Sequence, residues 1–166
     1  MTGITTFQTG FPLDVIDGGV RSLTCPVAFA FYQCPDIPNV VSAARFSDPR
    51  TDSFVNKTRN PNNTTSLNHY WFDPNTFARE AFGTFGSAGR NLLRGPRISN
   101  FDWGFYKDTT ITEQTRLELR FEFYNLFNHT QFDPAGMNTN INSGNFGRIS
   151  RAFNPRIIQL AAKIYF

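Results

Sequence analysis

The segment RLELRFEFYNLFNH places Leu117, Leu119, Phe121, Phe123 and Phe127 at odd positions and Arg116, Glu118, Arg120 and Glu122 at even ones. A period of two held for more than eight residues belongs to a strand whose two faces meet different surroundings. Three further segments carry the same period or a strand-like composition. ISNFDWGFYKDTTI sets Phe101, Trp103 and Phe105 against Asn100, Asp102 and Gly104. NPRIIQLAAKIYF sets Ile158, Leu160, Ala162, Ile164 and Phe166 against Gln159, Ala161 and Lys163. GITTFQTGFPL is rich in Thr and Phe and is ended by Gly10 and Pro12. The pattern predicts an all-β chain with strands at about 3–11, 97–111, 116–130 and 155–166.

The remainder reads as loop. Residues 12–95 hold Pro at 26, 35, 38, 49, 61 and 74 and the run NPNNTTS, which together forbid long regular elements. Short strands are expected near AFAFY (28–32) and PNVVSAARF (38–46). DPAGMNTNINSGNFG, residues 133–147, is too long and polar for a tight hairpin, whereas the turn at Thr112 to Gln114 is very short. Long loops at one end and short turns at the other suit an outer-membrane β-barrel. A single alternating strand would equally suit a soluble sheet with its odd face on a core.

Nineteen Phe in a chain whose mean hydropathy is −0.35 favour a sheet with one greasy and one wet face over a helical membrane protein. No run approaches the roughly 20 apolar residues a spanning helix needs. The opening MTGITTFQTG lacks the basic and apolar regions of a secretory signal, so the protein is expected to begin upstream of Met1. The net charge of +3 comes from scattered Lys and Arg with no nucleic-acid module. Cys25 and Cys34 are spaced to close a loop disulfide in an oxidising compartment, with a pair of unlinked thiols as the alternative. His69 and His129 lie far from both, and no nucleophile elbow, phosphate loop or metal motif occurs. No enzyme activity, catalytic residue, cofactor or metal is therefore expected.

Taken in order, the blocks GITTFQTGFP, DPR (48–50), WFDPNTF (71–77), GTFGSAGRNLLRGP (83–96), FDWGFYKDTTI, RLELRFEFYNLFNHTQF, NFGRIS (145–150) and PRIIQLAAKIYF resemble the last strands and loops of Oar-like TonB-dependent outer-membrane receptors. The resemblance runs nearly end to end and is most specific from Gly83 through Phe132. It implies the C-terminal part of a plugged barrel of about 22 strands that imports scarce ligands. The terminal strand, with Ile158, Leu160, Ala162, Ile164 and Phe166 on one face, resembles the signal by which such barrels are recognised for insertion.

Under that resemblance the odd face, Leu117, Leu119, Phe121, Phe123 and Phe127, would meet lipid, and Arg116, Glu118, Arg120 and Glu122 would face the lumen or plug. Alternating signs there would pair with neighbouring strands. A periplasmic carboxy-terminus would put 12–95 and 133–147 outside the cell. The implied partners are outer-membrane lipid, the rest of the barrel and its plug, the TonB system through parts beyond this sequence, and the barrel assembly machinery, with no nucleic acid. A passive binding or adhesion barrel and a soluble β-sandwich binding module are the other functions considered.

Overall fold

A computed structural model describes residues 1–19, 21–23, 36–51 and 69–166. Its strands are β1 (Thr2–Gln8), β2 (Pro12–Leu13), β3 (Asn39–Val40), β4 (Phe77–Ala78), β5 (Leu93–Arg94), β6 (Ile98–Thr110), β7 (Arg116–Tyr124) and β8 (Ile157–Tyr165). Two 3-10 turns, Pro74–Thr76 and Pro134–Gly136, complete the regular structure among the described residues. The chain divides into a sheet unit (Met1–Thr9, Pro96–Phe132, Ala152–Phe166) and a loop unit (Gly10–Gly95, Asp133–Arg151).

In the sheet unit the four predicted strand segments form one sheet in the order β1-β6-β7-β8, every neighbour antiparallel. The thirteen residues of β6 extend over ~40 Å at ~3.3 Å per residue, or ~30 Å of height at a tilt near 40°. That exceeds the ~25 Å apolar band of a barrel wall. The β6–β7 hairpin closes through Thr112 and Thr115: the Ile111 N–H donates to the Thr115 carbonyl at 2.9 Å, and the Thr115 N–H reaches the Thr112 carbonyl at 3.2 Å.

Strand β7 stops at Tyr124, six residues short of the predicted end at 130. Asn125 and Asn128 both take φ of 52°, a left-handed conformation that Asn tolerates better than other side-chain-bearing residues. The Asn125 side chain then locks the turn, donating to the His129 carbonyl at 2.9 Å and accepting the His129 N–H at 3.0 Å. Phe127 therefore owes its position to this turn and not to strand alternation, a correction to its predicted place on the strand. Strand β8 begins two residues later than expected, because Pro155 has no N–H for a ladder.

The loop unit is loop with short two-residue strands, as expected, and it also has a packed core of its own. Its centre is a cluster of Val15, Phe72, Phe77, Ala88, Leu93 and Phe146. Phe72, Phe77 and Phe146 meet edge to face with centroids 5.3 to 5.9 Å apart, a geometry the ring quadrupole favours. The two sequence-distant segments are stitched by backbone hydrogen bonds: Ile141 N–H to the Ile16 carbonyl at 2.9 Å, Trp71 N–H to Gly147 at 2.8 Å, and Ile149 N–H to His69 at 2.9 Å. Both 3-10 turns start from the same local device, Phe-Asp-Pro. Asp73 and Asp133 accept the N–H two residues on, at 2.9 Å each, and the following Pro presets the first turn. Of PNVVSAARF, Asn39–Val40 forms a strand, pairing with Phe77–Ala78; AFAFY lies outside the described residues.

Gly10 illustrates how closely the loop unit packs. A Cβ at that position would sit 1.8 Å from the Gly95 carbonyl oxygen, so only glycine fits.

Candidate functional site: the two faces of the sheet and the polar hub of the loop unit

The register brings the separate alternations into common faces. Leu117, Leu119, Phe121 and Phe123 stand opposite Ile164, Ala162, Leu160 and Ile158 of β8, and opposite Thr109, Lys107, Phe105 and Trp103 of β6. A largely apolar surface results, polar on β6 at Lys107 and Thr109 toward the hairpin and at Ser99 toward the other end. Phe105 and Phe123 meet edge to face at 6.2 Å. Leu160 is 69% exposed and Ile164 60%, which a β-sandwich would bury under a second sheet. Phe166 lies one residue past β8 and is fully exposed. At the opposite strand ends, Phe127 packs on Phe101 at 4.9 Å and Phe101 on Phe7 at 5.4 Å, while His129 stacks on Phe127.

The other face carries Arg116, Glu118, Arg120 and Glu122, joined by neighbours the sequence did not pick out. Tyr165 of β8 donates to Glu118 Oε2 at 2.7 Å, and Arg120 Nε donates to Glu118 Oε1. Tyr106 of β6 donates to Glu122 Oε1 at 3.0 Å. The guanidinium of Arg116 lies 4.7 Å above the Tyr165 ring and that of Arg120 lies 5.7 Å from the Tyr106 ring. The cross-strand partners of these carboxylates are thus tyrosine hydroxyls, where ion pairs with neighbouring strands were expected; the ion pair that forms joins Glu118 to Arg120 along the same strand. Tyrosine suits the position, since a ring spans the ~5 Å between strands and ends in a donor.

Gly104 makes room for this network. It stands opposite Glu122, and a Cβ there would meet the Tyr106 hydroxyl at 2.8 Å, so the absent side chain lets Tyr106 lie across toward Glu122. The adjoining hollow, bordered by Thr2, Ile4, Asp102 and Tyr124, holds ≈ 180 Å³. That is below the ~300 Å³ at which ligand pockets begin, so the hollow reads as packing relief.

The loop unit has its own polar centre. Asp17, fully buried, takes a two-point contact from Arg79, with Nε 2.8 Å and Nη2 3.2 Å from its oxygens, and further bonds from the Gly19 N–H and the Asn142 amide. Burial alone would raise the Asp17 carboxyl, but these donors outweigh it and hold it below the usual range. Asp36 is bound by the Ser22 N–H at 2.9 Å and by the Ser22 hydroxyl. Glu80 is the contrasting group. Its carboxylate is buried with no hydrogen-bond partner, and Arg21 Nε comes no nearer than 3.9 Å. Burial, reinforced by Asp17 and Asp36, pushes Glu80 above the ordinary glutamate range despite Arg21. At Asp48, the Arg50 guanidinium is the main cause of a lowered carboxyl.

Asp17, Glu80 and the three core phenylalanines escaped the sequence, whose periodicity says nothing about contacts between distant loops. The repeated Phe-Asp-Pro at 72–74 and 132–134 is the signal that could have marked ordered turns. Cys25 and Cys34 lie outside the described residues. Among the described residues no group of three or more His, Cys, Asp or Glu is placed to hold a metal, and no helix is long and apolar enough to cross a membrane.

No curated protein and no solved structure matches the chain. The family model described as an outer membrane beta barrel domain matches residues 1–159. Ordered antiparallel strands, one apolar and one polar face, and a match over nearly the whole length together make the chain a member of the outer membrane β-barrel domain family, placed in the outer membrane.

Proposed function

We propose that this chain forms part of the wall of a TonB-dependent transporter that takes up a scarce ligand across the outer membrane. The observation that carries the proposal is the register: β6, β7 and β8 combine into one largely apolar and one hydrogen-bonded polar face, and β1 extends the sheet. A plugged, water-containing barrel requires that arrangement, because lipid outside offers no hydrogen bonds and the lumen offers many. The ordered blocks that resemble Oar-like receptors support the transporter class, while the parts that would engage TonB lie beyond this sequence.

In this reading Leu117, Leu119, Phe121 and Phe123, with Phe127 at their end, meet lipid, while Arg116, Glu118, Arg120 and Glu122 face the lumen and the plug. Strand β8, with Ile158, Leu160, Ala162, Ile164 and the following Phe166, is the segment the assembly machinery engages. Strands β1 and β7 run outward and β6 and β8 inward, so both long connections leave the sheet at its extracellular end and the hairpin at 111–115 is periplasmic. The loop unit, built from those connections, presents the polar surface that a ligand meets first. The chain has no enzymatic role in this scheme and requires no cofactor.

The test uses the full-length protein, extracted from outer membranes and passed over the immobilised periplasmic domain of TonB. Retention that is lost when the region preceding the barrel is deleted is the expected result. A full-length protein that assembles in the outer membrane and ignores TonB would replace the transporter with a passive binding or adhesion barrel.

A further inference from the structure

Glu80 and the turn that follows it have no part in the transporter reading. The turn runs from Ala81 to Thr84. The Thr84 N–H donates to the Ala81 carbonyl at 3.1 Å, the Thr84 hydroxyl reaches the same oxygen at 2.7 Å, and Gly83 supplies a φ of 76° at the third position. Phe82 and Phe85 stand out from it, 69% and 72% exposed. Both flanks are fixed within the loop unit. On one side Arg79 grips Asp17 at 2.8 Å. On the other the Ala88 N–H donates to the Pro38 carbonyl at 3.0 Å and the Ser87 N–H to Asn39 Oδ1 at 3.1 Å. Residues 80–86 form a strap between these two attachments.

Arg21 clasps the strap in its middle. Its carbonyl accepts the Gly83 N–H at 2.6 Å, and its Nε donates to the Glu80 carbonyl at 2.8 Å. The next residue, Ser22, anchors Arg21 by donating its N–H, at 2.9 Å, and its hydroxyl to Asp36. The Glu80 side chain offers the same guanidinium a second acceptor. Its carboxyl is buried without a hydrogen-bond partner, and Oε1 lies 3.9 Å from the Nε already bonded to the Glu80 carbonyl. The other charged groups that act on it are Asp17, paired with Arg79, and Asp36, held by Ser22, and both oppose a further negative charge. A neutral carboxyl tolerates that setting at modest cost, whereas a carboxylate demands a donor.

We infer that residues 80–86 are a pH-operated strap: with Glu80 neutral Arg21 holds the Glu80 carbonyl, and with Glu80 ionised the guanidinium turns to the carboxylate and the turn bearing Phe82 and Phe85 comes away. The proton passes to solvent as the strap opens. Burial raises Glu80 in the closed form, with Asp17 and Asp36 adding to it. The opening constant therefore grows by up to about tenfold per pH unit from about 4.3 to that raised value. The strap is closed in acid and freed as the pH rises. The inference stands on the loop unit alone and does not require the transporter reading.

The experiment is hydrogen–deuterium exchange of the full-length protein in detergent, read by mass spectrometry at about pH 5 and about pH 8 and corrected for intrinsic rates. Peptides covering 80–86 and 141–149 are compared. In the wild type 80–86 should lose protection at least several-fold between the two pH values. The 141–149 peptide, whose Ile141 and Ile149 N–H groups bond the Ile16 and His69 carbonyls, should change less, and its protection in each variant reports that the loop unit is folded. Glu80→Gln should keep 80–86 protected at both pH values. Arg21→Gln, which lacks the guanidinium, should show in acid the exchange that the wild type shows at the higher pH. Wild-type protection of 80–86 that ignores pH overturns the inference, as does a Glu80→Gln variant with the wild-type pH dependence. Equal loss in 80–86 and 141–149 also overturns it, because the unit then opens as a whole, and so does an Arg21→Gln variant protected in acid like the wild type.

Discussion

Arginine in place of Phe121 would put a cation at the centre of the apolar face. Phe121 stands opposite Phe105 in β6 and Leu160 in β8, with apolar residues above and below it on β7, so the guanidinium has no short path to either interface. At the bilayer midplane such a substitution costs ~2–4 kcal/mol in a transmembrane barrel, a factor of about 30 to 900 in the folding equilibrium. The neighbouring change Glu122→Arg is the control. It removes the Tyr106 hydrogen bond of 3.0 Å to a carboxylate on an exposed face, worth at most ~1.5–3 kcal/mol, and leaves the new charge on the polar face. Full-length protein refolded from urea into lipid vesicles would be scored by the fraction that migrates as folded on an unboiled gel across a urea series. The Phe121→Arg midpoint should fall well below that of Glu122→Arg. Equal midpoints for the two variants would refute the assignment of the faces.

The loop unit yields three further expectations. Phe146→Ala removes one ring of the Phe72–Phe77–Phe146 group and should cost ~3–5 kcal/mol, seen as proteolysis within 10–95 on intact cells while the barrel remains heat-modifiable. Gly10→Ala forces a Cβ to 1.8 Å from the Gly95 carbonyl oxygen and should destabilise the same unit by ~1–3 kcal/mol, read by the same protease assay. Glu80, raised in the folded state by burial, binds a proton more tightly there than in the unfolded chain. The loop unit should accordingly lose stability as pH rises from ~4.3 through that raised value, and Glu80→Gln should abolish this loss and protect the loops at neutral pH. Asp17, lowered by Arg79 and its other donors, acts with the opposite sign, contributing stability at neutral pH that disappears in acid as the carboxylate is protonated. A pH series of protease resistance for the wild type and Glu80→Gln separates the two, since only the acid-side loss remains in the variant.

Three of the strands were legible because each repeats a two-residue period that few other structures tolerate, and the first because of its Thr- and Phe-rich composition. Their ends were less so. Phe127 has the parity of the strand and drew the predicted end of β7 out to 130, but parity is blind to Asn125, whose left-handed conformation and side-chain ring with His129 end the strand. The polar face was recognised from its charges, while its actual links, Tyr165 to Glu118 and Tyr106 to Glu122, depend on a register that no single strand reveals. The loop core was invisible for a related reason. Phe72 and Phe146 sit in segments with no common period, and their contact follows from two connections folding against each other.

That mutual folding sets an order of events. The bonds of the loop unit join positions 122 and 125 residues apart, Gly18 to Asn140 and Asn142 to Asp17, so closing it carries a high chain-entropy cost and waits for the later segment. A polypeptide synthesised and exported from its amino end would carry residues 10–95 without Phe146 and the backbone partners in 133–151 until those arrive. The loop unit is in this sense a record of completion: its core closes once the chain through residue 151 has been delivered, and a chain halted earlier would display those loops without Phe146 and its neighbours, where a protease could find them.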